Sequence, residues 1–301
     1  MIRNLGNKIV GLLTKNQKLK KLHELELKCL PSGIVTAANF LIINKTIPQL
    51  TETINIIEAR RKEIAAEGDK KIPIWYSPKP NSSDNCKTDG NRPEPGKTLY
   101  FTMEQIAKTG KKQKWATALL LLTKELKAST GIELGACAGL SARYIASADS
   151  MKDLITVEGS EELSKIATQT LKNNKNTRVI NALFDDALDL ELADTNKTFD
   201  LAYIDGHHEK VATIHYFNRL LPHLTPGALV LFDDVSWSLD MREAWDELSK
   251  RVEFSHSVDF GVVGACIIKD TDTPPNSPPQ YWNLQPIVGK CKIGNPQGWK
   301  Q

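Results

Sequence analysis

Three aspartates stand at the ends of two apolar runs. "FDLAYID" closes on Asp205, and "ALVLFDD" closes on Asp233 and Asp234. Each run reads as a buried strand, and charges at its end are costly unless something neutralises them. In a doubly wound sheet the carboxyl ends of neighbouring strands face the ligand crevice. The three carboxylates are therefore expected to converge there. Oxygen-rich clusters suit magnesium or calcium, which keep waters and a substrate oxygen in their remaining positions. Asp205, Asp233 and Asp234 are accordingly the expected metal ligands. A plainer reading has one Asp capping the following helix while the others face solvent or backbone. His208, three residues after Asp205, has the chemistry of a proton acceptor near neutral pH. With Asp205 it forms the candidate catalytic pair, against the alternative of an ordinary loop histidine. His207, His208 and His215 make a poor zinc set, with no thiolate close by and no usual ligand spacing.

A second signal is "GIELGACAGLSARYIA", residues 131–146. A strand ends at Leu134, a loop holds Gly135 and Gly139, and a helix begins near Leu140. Such a turn brings backbone close to a ligand and aims free helix N–H groups at it. Glu158, at the end of the next strand in "LITVEGS", is placed to accept both hydroxyls of an adenosine ribose. The loop reads G-A-C-A-G and lacks the middle glycine of the dinucleotide fingerprint. This points away from NAD. Cys137 sits inside the loop as a small filler, since no base stands beside it to make it a nucleophile.

These residues need a scaffold, and the chain supplies one from about residue 115 to 270. "GIEL", "LITVE", "TRVIN", "FDLAYID" and "ALVLFDD" alternate with helical stretches such as "EELSKIATQTLKNN" and "VATIHYFNRLLPHL". That alternation predicts a parallel sheet with helices on both faces. "VEFSHSV" and "VVGACIIK" follow closely enough to pair antiparallel. The expected organisation is a helical region over residues 1–76, a loop or linker over 77–110, the α/β domain over 111–270 and a proline-rich irregular tail over 271–301. In the first region Ile2, Leu5, Ile9 and Leu12 form one helical stripe, and Leu50, Ile54, Ile57 and Ile64 another. Apolar stripes need a surface to bury. The first hundred residues are expected to form a helical appendage that covers an acceptor site or makes a homodimer contact.

Composition narrows the classes. With 41% hydrophobic and 25% charged residues the chain is that of an ordinary globular protein. A net charge of +3 is too small to imply a polyanionic partner. Up to Lys28 there are seven Lys or Arg against two Glu, which fits contact with RNA or a membrane surface but fits a solvated helical face better. No nucleic-acid partner is expected. The five cysteines are scattered without a CxxC pair, as suits a reducing cytoplasm. No signal peptide or membrane span is expected.

Taken together, "ELGACAGLSARYIA", "LITVEGS", "NALFDDAL", "FDLAYIDGHH" and "VLFDDVSW" resemble the successive motifs of class I S-adenosylmethionine-dependent methyltransferases. Within that class they are most similar to the catechol and caffeoyl-CoA O-methyltransferase branch. The resemblance covers residues 115–270 and neither the first hundred residues nor the tail. It implies a Rossmann-like methyltransferase fold, with a seven-stranded, mostly parallel sheet and an antiparallel hairpin at its C-terminal edge. It also implies S-adenosyl-L-methionine as cofactor and a hydroxyl of a small molecule as acceptor. Glu133, Gly135 and Gly139 would frame the methionine part, with Ser141 nearby, and Glu158 would hold the ribose. Phe184 and Asp185 would lie against the adenine, one by packing and one by polar contact. The resembled enzymes carry Asp, Asp and Asn around magnesium, where this chain has Asp205, Asp233 and Asp234. They place a lysine base where this chain has His208.

Other classes stay open. An amino-group methyltransferase acting on bases is expected to show N-P-P-Y after the fourth strand, where "DGHH" stands here. A binding or oligomerisation protein that keeps the cofactor fold is one alternative. A metal-dependent relative resembling the cephalosporin hydroxylases, which share D-G-x-H, is another. Fold alone does not decide among them.

Overall fold

The computed structural model describes residues 15–75, 98–288 and 293. The stripe Ile2, Leu5, Ile9 and Leu12 and the proline-rich loop over 76–97 lie outside the described residues.

The N-terminal part runs through helix α1 (15–26), α2 (Ser32–Ile43) and α3 (Thr51–Ala66), then strand β1 (Lys71–Trp75). Strand β2 (Thr98–Thr102) pairs antiparallel with β1 and leads into α4 (Met103–Thr109) and α5 (Gln113–Glu125). Residues 98–109 are therefore regular structure and not linker. The local chemistry explains why: "TLYFT" is rich in strand-favouring residues, and Thr102 then starts α4 through a capping box. Its hydroxyl accepts from the Gln105 N–H at 3.1 Å, while the Gln105 side chain accepts from the Thr102 N–H at 2.8 Å.

Among the described residues the main sheet has eight strands. β3 (Thr130–Leu134), β4 (Asp153–Glu158), β5 (Thr177–Asn181), β6 (Phe199–Ile204) and β7 (Leu224–Phe232) lie parallel in the order β5-β4-β3-β6-β7. β8 (Phe254–Asp259) and β9 (Gly264–Ile268) form the expected antiparallel hairpin, with β9 inserted between β7 and β8. The eighth strand comes from the tail: β10 (Gln280–Asn283) runs parallel beside β8, ahead of the short helix α11 (Gln285–Val288). The proline-rich sequence conceals this strand, which is anchored by polar contacts as well as pairing. The buried Asp259 carboxylate accepts from Arg242 at 3.0 Å, Gln285 Nε2 at 2.9 Å and the Tyr281 hydroxyl at 3.3 Å.

Strand residues divide by parity between two cores. Leu201, Tyr203, Leu229 and Leu231 face one side, where α5, α6 (Leu140–Ala146) and part of α7 (Glu161–Leu171) pack. Ala202, Ile204, Val230 and Phe232 face the other, against α8 (Phe184–Glu191), α9 (Lys210–Leu220) and α10 (Leu239–Leu248). Both faces are covered, as a parallel sheet requires. Ile34, Ala37, Ala38 and Leu41 of α2 and Ile54, Ile57 and Ile64 of α3 are buried in the first core. The N-terminal helices are thus a layer of the same domain and not an appendage. Fully burying each such large aliphatic side chain is worth about 1.5–3 kcal/mol. The stripe on α3 is satisfied within the chain and lends no support to a dimer contact. Among the described residues no helix is long and apolar enough to cross a membrane.

Candidate functional site

Strand order reverses direction between β3 and β6, which leaves a crevice beyond their carboxyl ends. The two ends approach so closely that position 135 admits only glycine. Gly135 has φ +111°, and a Cβ there would lie 1.9 Å from the Asp205 carbonyl oxygen. Gly139, at φ +74°, begins α6 where a Cβ would come within 3.0 Å of Ala167. Between them Cys137 adopts φ 47°, and its N–H donates to Glu158 Oε2 at 2.8 Å. Glu158 Oε1 accepts from the Ser160 N–H at 2.9 Å. Each carboxylate oxygen keeps a lone pair for a ligand hydroxyl, so the residue expected to hold a ribose is fixed in place and still able to accept. Burial pushes the Glu158 carboxyl up to about 7 against the opposing pull of those N–H groups. Burial also pushes the Cys137 thiol up to about 12, consistent with a filler side chain and not a nucleophile.

Glu133 lies wholly buried beneath this loop. Its Oε2 accepts from the Thr156 hydroxyl, and the nearby Ser141 hydroxyl opposes the effect of burial on the same carboxyl. Oε1 has no hydrogen-bond partner among the described residues. Burial raises this carboxyl to about 7. An unpartnered buried acceptor beside the glycine loop fits a polar ligand group.

The side expected to face the base is less uniform. The Phe184 ring packs over Gly206, where a Cβ would meet it at 2.3 Å, and sits 5.5 Å from the His207 ring and 5.4 Å from Tyr216. Asp185 turns instead toward α9: its Oδ1 accepts from Arg219 at 3.0 Å and lies 2.7 Å from His215 Nε2. That oxygen is committed to the helix, because two donors on α9 outcompete a loop contact. The structure thus brings Phe184 to the crevice wall and ties Asp185 to its neighbour.

The acidic cluster is where the structure departs most from expectation. Asp205, Asp233 and Asp234 do gather at the ends of β6 and β7. His208 Nε2 lies 3.8 Å from Asp205 Oδ1 and 4.0 Å from Asp234 Oδ2, and its ring stacks on Trp237 at 5.4 Å. The Tyr203 hydroxyl donates to Asp205 Oδ2 at 3.1 Å. Amid them stands a cation from elsewhere in the chain: the Lys111 ammonium pairs with Asp233 Oδ2 and lies 3.5 Å from Asp234 Oδ1. Lys111 and Asp233 are 9% and 2% exposed, so this is an interior ion pair. Burial alone would lower the lysine pKa, yet the charges of Asp233, Asp234 and Asp205 outweigh it and hold the ammonium above its ordinary value. Burial likewise raises Asp205 to about 6 and Asp233 well above the usual carboxylate range.

This arrangement does not fit the expected magnesium. Among the described residues no group of three or more His, Cys, Asp and Glu side chains is arranged to hold a metal ion. An ammonium occupies the gap between the two carboxylates that a divalent cation would bridge. Metal–oxygen distances of about 2.0–2.6 Å would set the ion against that like charge.

Lys111 escaped the sequence reading because it lies far from the strand ends, in "TGKKQKW" at the start of α5. Its placement depends on α3. Arg61 donates to the carbonyls of Ala107 at 2.8 Å, Gly110 at 3.2 Å and Lys111 at 2.7 Å. Glu58 grips the same guanidinium through both oxygens, at 2.8 and 3.3 Å, and also accepts from the Tyr144 hydroxyl at 2.9 Å. The only sequence signal was the string of basic residues before α5, which does not single out one of them. Backbone strain marks the same place. Cys137, His207, His208 and Asp234 all adopt positive φ, a conformation that persists in non-glycine residues only where the surroundings enforce it.

Fold and crevice define a doubly wound α/β domain, and it can be compared with known proteins. Residues 132–235 match the family model of a methyltransferase domain. The matched segment is the one that carries most of the motifs read from the sequence. No curated protein matches the chain. Among solved structures, the O-methyltransferase from Bacillus cereus in complex with SAH is 17% identical, covering 71% of this chain and 91% of its own, with a TM-score of 0.49. The O-methyltransferase TomG from Streptomyces achromogenes, involved in tomaymycin synthesis and bound to SAM, is 18% identical over 53% of this chain and 82% of its own, with a TM-score of 0.47. The SAH-bound methyltransferase PaMTH1 from Podospora anserina is 16% identical over 55% and 82%, also with a TM-score of 0.47. At TM-scores below 0.5 these likenesses carry no weight in the assignment of function.

Proposed function

We propose that the chain transfers a methyl group from S-adenosyl-L-methionine to a hydroxyl of a small molecule. The observation that carries this reading is the convergence, at one switch point, of the Gly135–Gly139 loop, the fixed but still accepting Glu158 carboxylate, and the Asp205–His208 pair. Glu158 holds the ribose hydroxyls, the loop and Glu133 frame the methionine end, and Phe184 packs against the base. The cofactor supplies a methyl group made electrophilic by its sulfonium.

What the chain adds is position and a proton acceptor. An acceptor hydroxyl lying over the ends of β6 and β7 meets His208 Nε2. A bound cofactor would present its methyl carbon to that oxygen, and the proton of the hydroxyl passes to Nε2. The imidazolium so formed is stabilised by the carboxylates of Asp205 and Asp234, at 3.8 and 4.0 Å. Most of the rate enhancement in such an in-line displacement comes from aligning oxygen, carbon and sulfur.

The test is calorimetry of the full chain with S-adenosylhomocysteine, followed by methyl transfer to a panel of phenolic and aliphatic alcohols. Binding is expected, with transfer to at least one hydroxyl class. His208→Ala should slow turnover about 10²–10⁴-fold while leaving S-adenosylhomocysteine affinity intact. A folded protein that does not bind the ligand refutes the reading. Binding without transfer to any acceptor favours a protein that keeps the cofactor fold for another purpose.

A further inference from the structure

We infer that Lys111 is a built-in substitute for the divalent cation, so that the acidic strand ends work without metal. The inference rests on the reading above only for what the site does; the cation chemistry stands on geometry alone. Three carboxylates converge at the ends of β6 and β7, and the ammonium sits between two of them, pairing with Asp233 and 3.5 Å from Asp234. An ammonium offers a single charge and three donors but no open coordination positions. It offsets the mutual repulsion of the carboxylates, the first task that a metal would have, and cannot chelate two acceptor oxygens, which is the second. The acceptor therefore needs one hydroxyl, and a vicinal pair brings no advantage.

The lysine is held there by design of the chain. Its residue lies in the three-residue connection between α4 and α5, too short to let the backbone drift. Arg61 binds the carbonyl of Lys111 itself together with those of Gly110 and Ala107. Glu58 fixes Arg61, and Tyr144 on α6 fixes Glu58. This chain of contacts runs from the helix behind the glycine loop to the ammonium. Lys111 is thus a positioning residue: it acts through Asp233 and Asp234 on the geometry of the acidic cluster. The second oxygen of Asp233, Oδ1, is buried and has no hydrogen-bond donor among the described residues. It would be a ready ligand if the ammonium were removed.

The experiment is titration of the full chain with Mn2+, followed by calorimetry and by the relaxation of water protons. Wild type is expected to show no saturable site at the acidic cluster, and its methyl-transfer rate should be the same in EDTA as in added Mg2+. Lys111→Met keeps the aliphatic stem and removes the charge. It should bind Mn2+ at least about tenfold more tightly than wild type, and adding Asp233→Asn should abolish the gain. A purely structural lysine would lower stability on removal without creating a cation site. If Lys111→Met does not fold, Lys111→Gln carries the same comparison, and Lys111→Arg should remain refractory to Mn2+. An Mn2+ site in wild type that Asp233→Asn removes, or folded Lys111 variants with no gain in Mn2+ affinity, overturns the inference. S-adenosylhomocysteine binding, measured on the same samples, reports separately on the proposed function.

Discussion

Affinity for S-adenosylhomocysteine should depend on pH through Glu158. In the free protein burial raises this carboxyl to about 7, and a ribose contact of the proposed kind needs the ionised form. Above pH 7 the group is charged and affinity is flat. Below it each ligand must bind the shrinking ionised fraction, and affinity falls by up to tenfold per unit. At pH 5.5 about one molecule in thirty is ionised, a penalty of about 2 kcal/mol. The sign is opposite for the folding equilibrium. A carboxyl whose folded pKa lies above its unfolded value near 4.5 binds more protons in the folded state between the two values. Unliganded stability therefore declines as pH rises from about 4.5 to 7. Glu133, Asp205 and Asp233 are shifted the same way and add to the decline.

Calorimetry at pH 5.5, 6.5 and 7.5 reads the binding arm, and thermal unfolding at the same pH values reads the stability arm. Glu158→Gln should lose about 1–3 kcal/mol of affinity at pH 7.5 and flatten the binding profile. Glu133→Gln is the comparison, because that group titrates in the same range but is proposed to face the methionine end and not the ribose. Equal wild-type affinity at pH 5.5 and 7.5 would refute the argument. So would a slope that survives in Glu158→Gln and vanishes in Glu133→Gln.

Two further substitutions test the frame around the site. Gly135→Ala forces a Cβ to within 1.9 Å of the Asp205 carbonyl oxygen at φ +111°, so β3 and β6 must part. A loss of about 3 kcal/mol or more is expected in denaturant unfolding, and a loss under about 1 kcal/mol would show that the strand ends yield easily. Arg61→Ala removes three carbonyl contacts and the Glu58 ion pair. It should cost about 2–4 kcal/mol in the same assay and slow methyl transfer even where the protein stays folded. Full activity in Arg61→Ala would separate the connection from the site.

The sheet was legible because each strand carries its own signal, and the crevice was legible because its parts sit where strands end. Gly135, Glu158 and Asp205 occupy the first positions after β3, at the end of β4 and after β6, so knowing the strands nearly gives the crevice. β2 and β10 were hidden for different reasons. β2 follows a stretch of prolines and polar residues that masks five strand-prone positions, and β10 lies inside a proline-rich tail whose pairing depends on the buried Asp259. Asp185 was placed by position alone, and nothing local announced that His215 and Arg219, some thirty residues later, would claim its oxygen.

The opposite face of the acidic cluster was illegible in principle, not by oversight. Adjacent carboxylates in a buried strand end demand a positive charge, and that demand can be read from "LFDD" alone. What meets it cannot. A divalent ion leaves no trace in the sequence beyond its ligands, and an internal lysine leaves a trace anywhere in the chain. The two are distinguished only by tertiary placement, here by the distance spanned from Lys111 to Asp233 and Asp234. The N-terminal helices, which read as an appendage, turn out to decide the question. The Arg61 and Glu58 side chains of α3 fix the connection that delivers the ammonium. On the inference drawn above, a residue pair with no chemistry of its own at the crevice thereby selects the cation that the crevice uses.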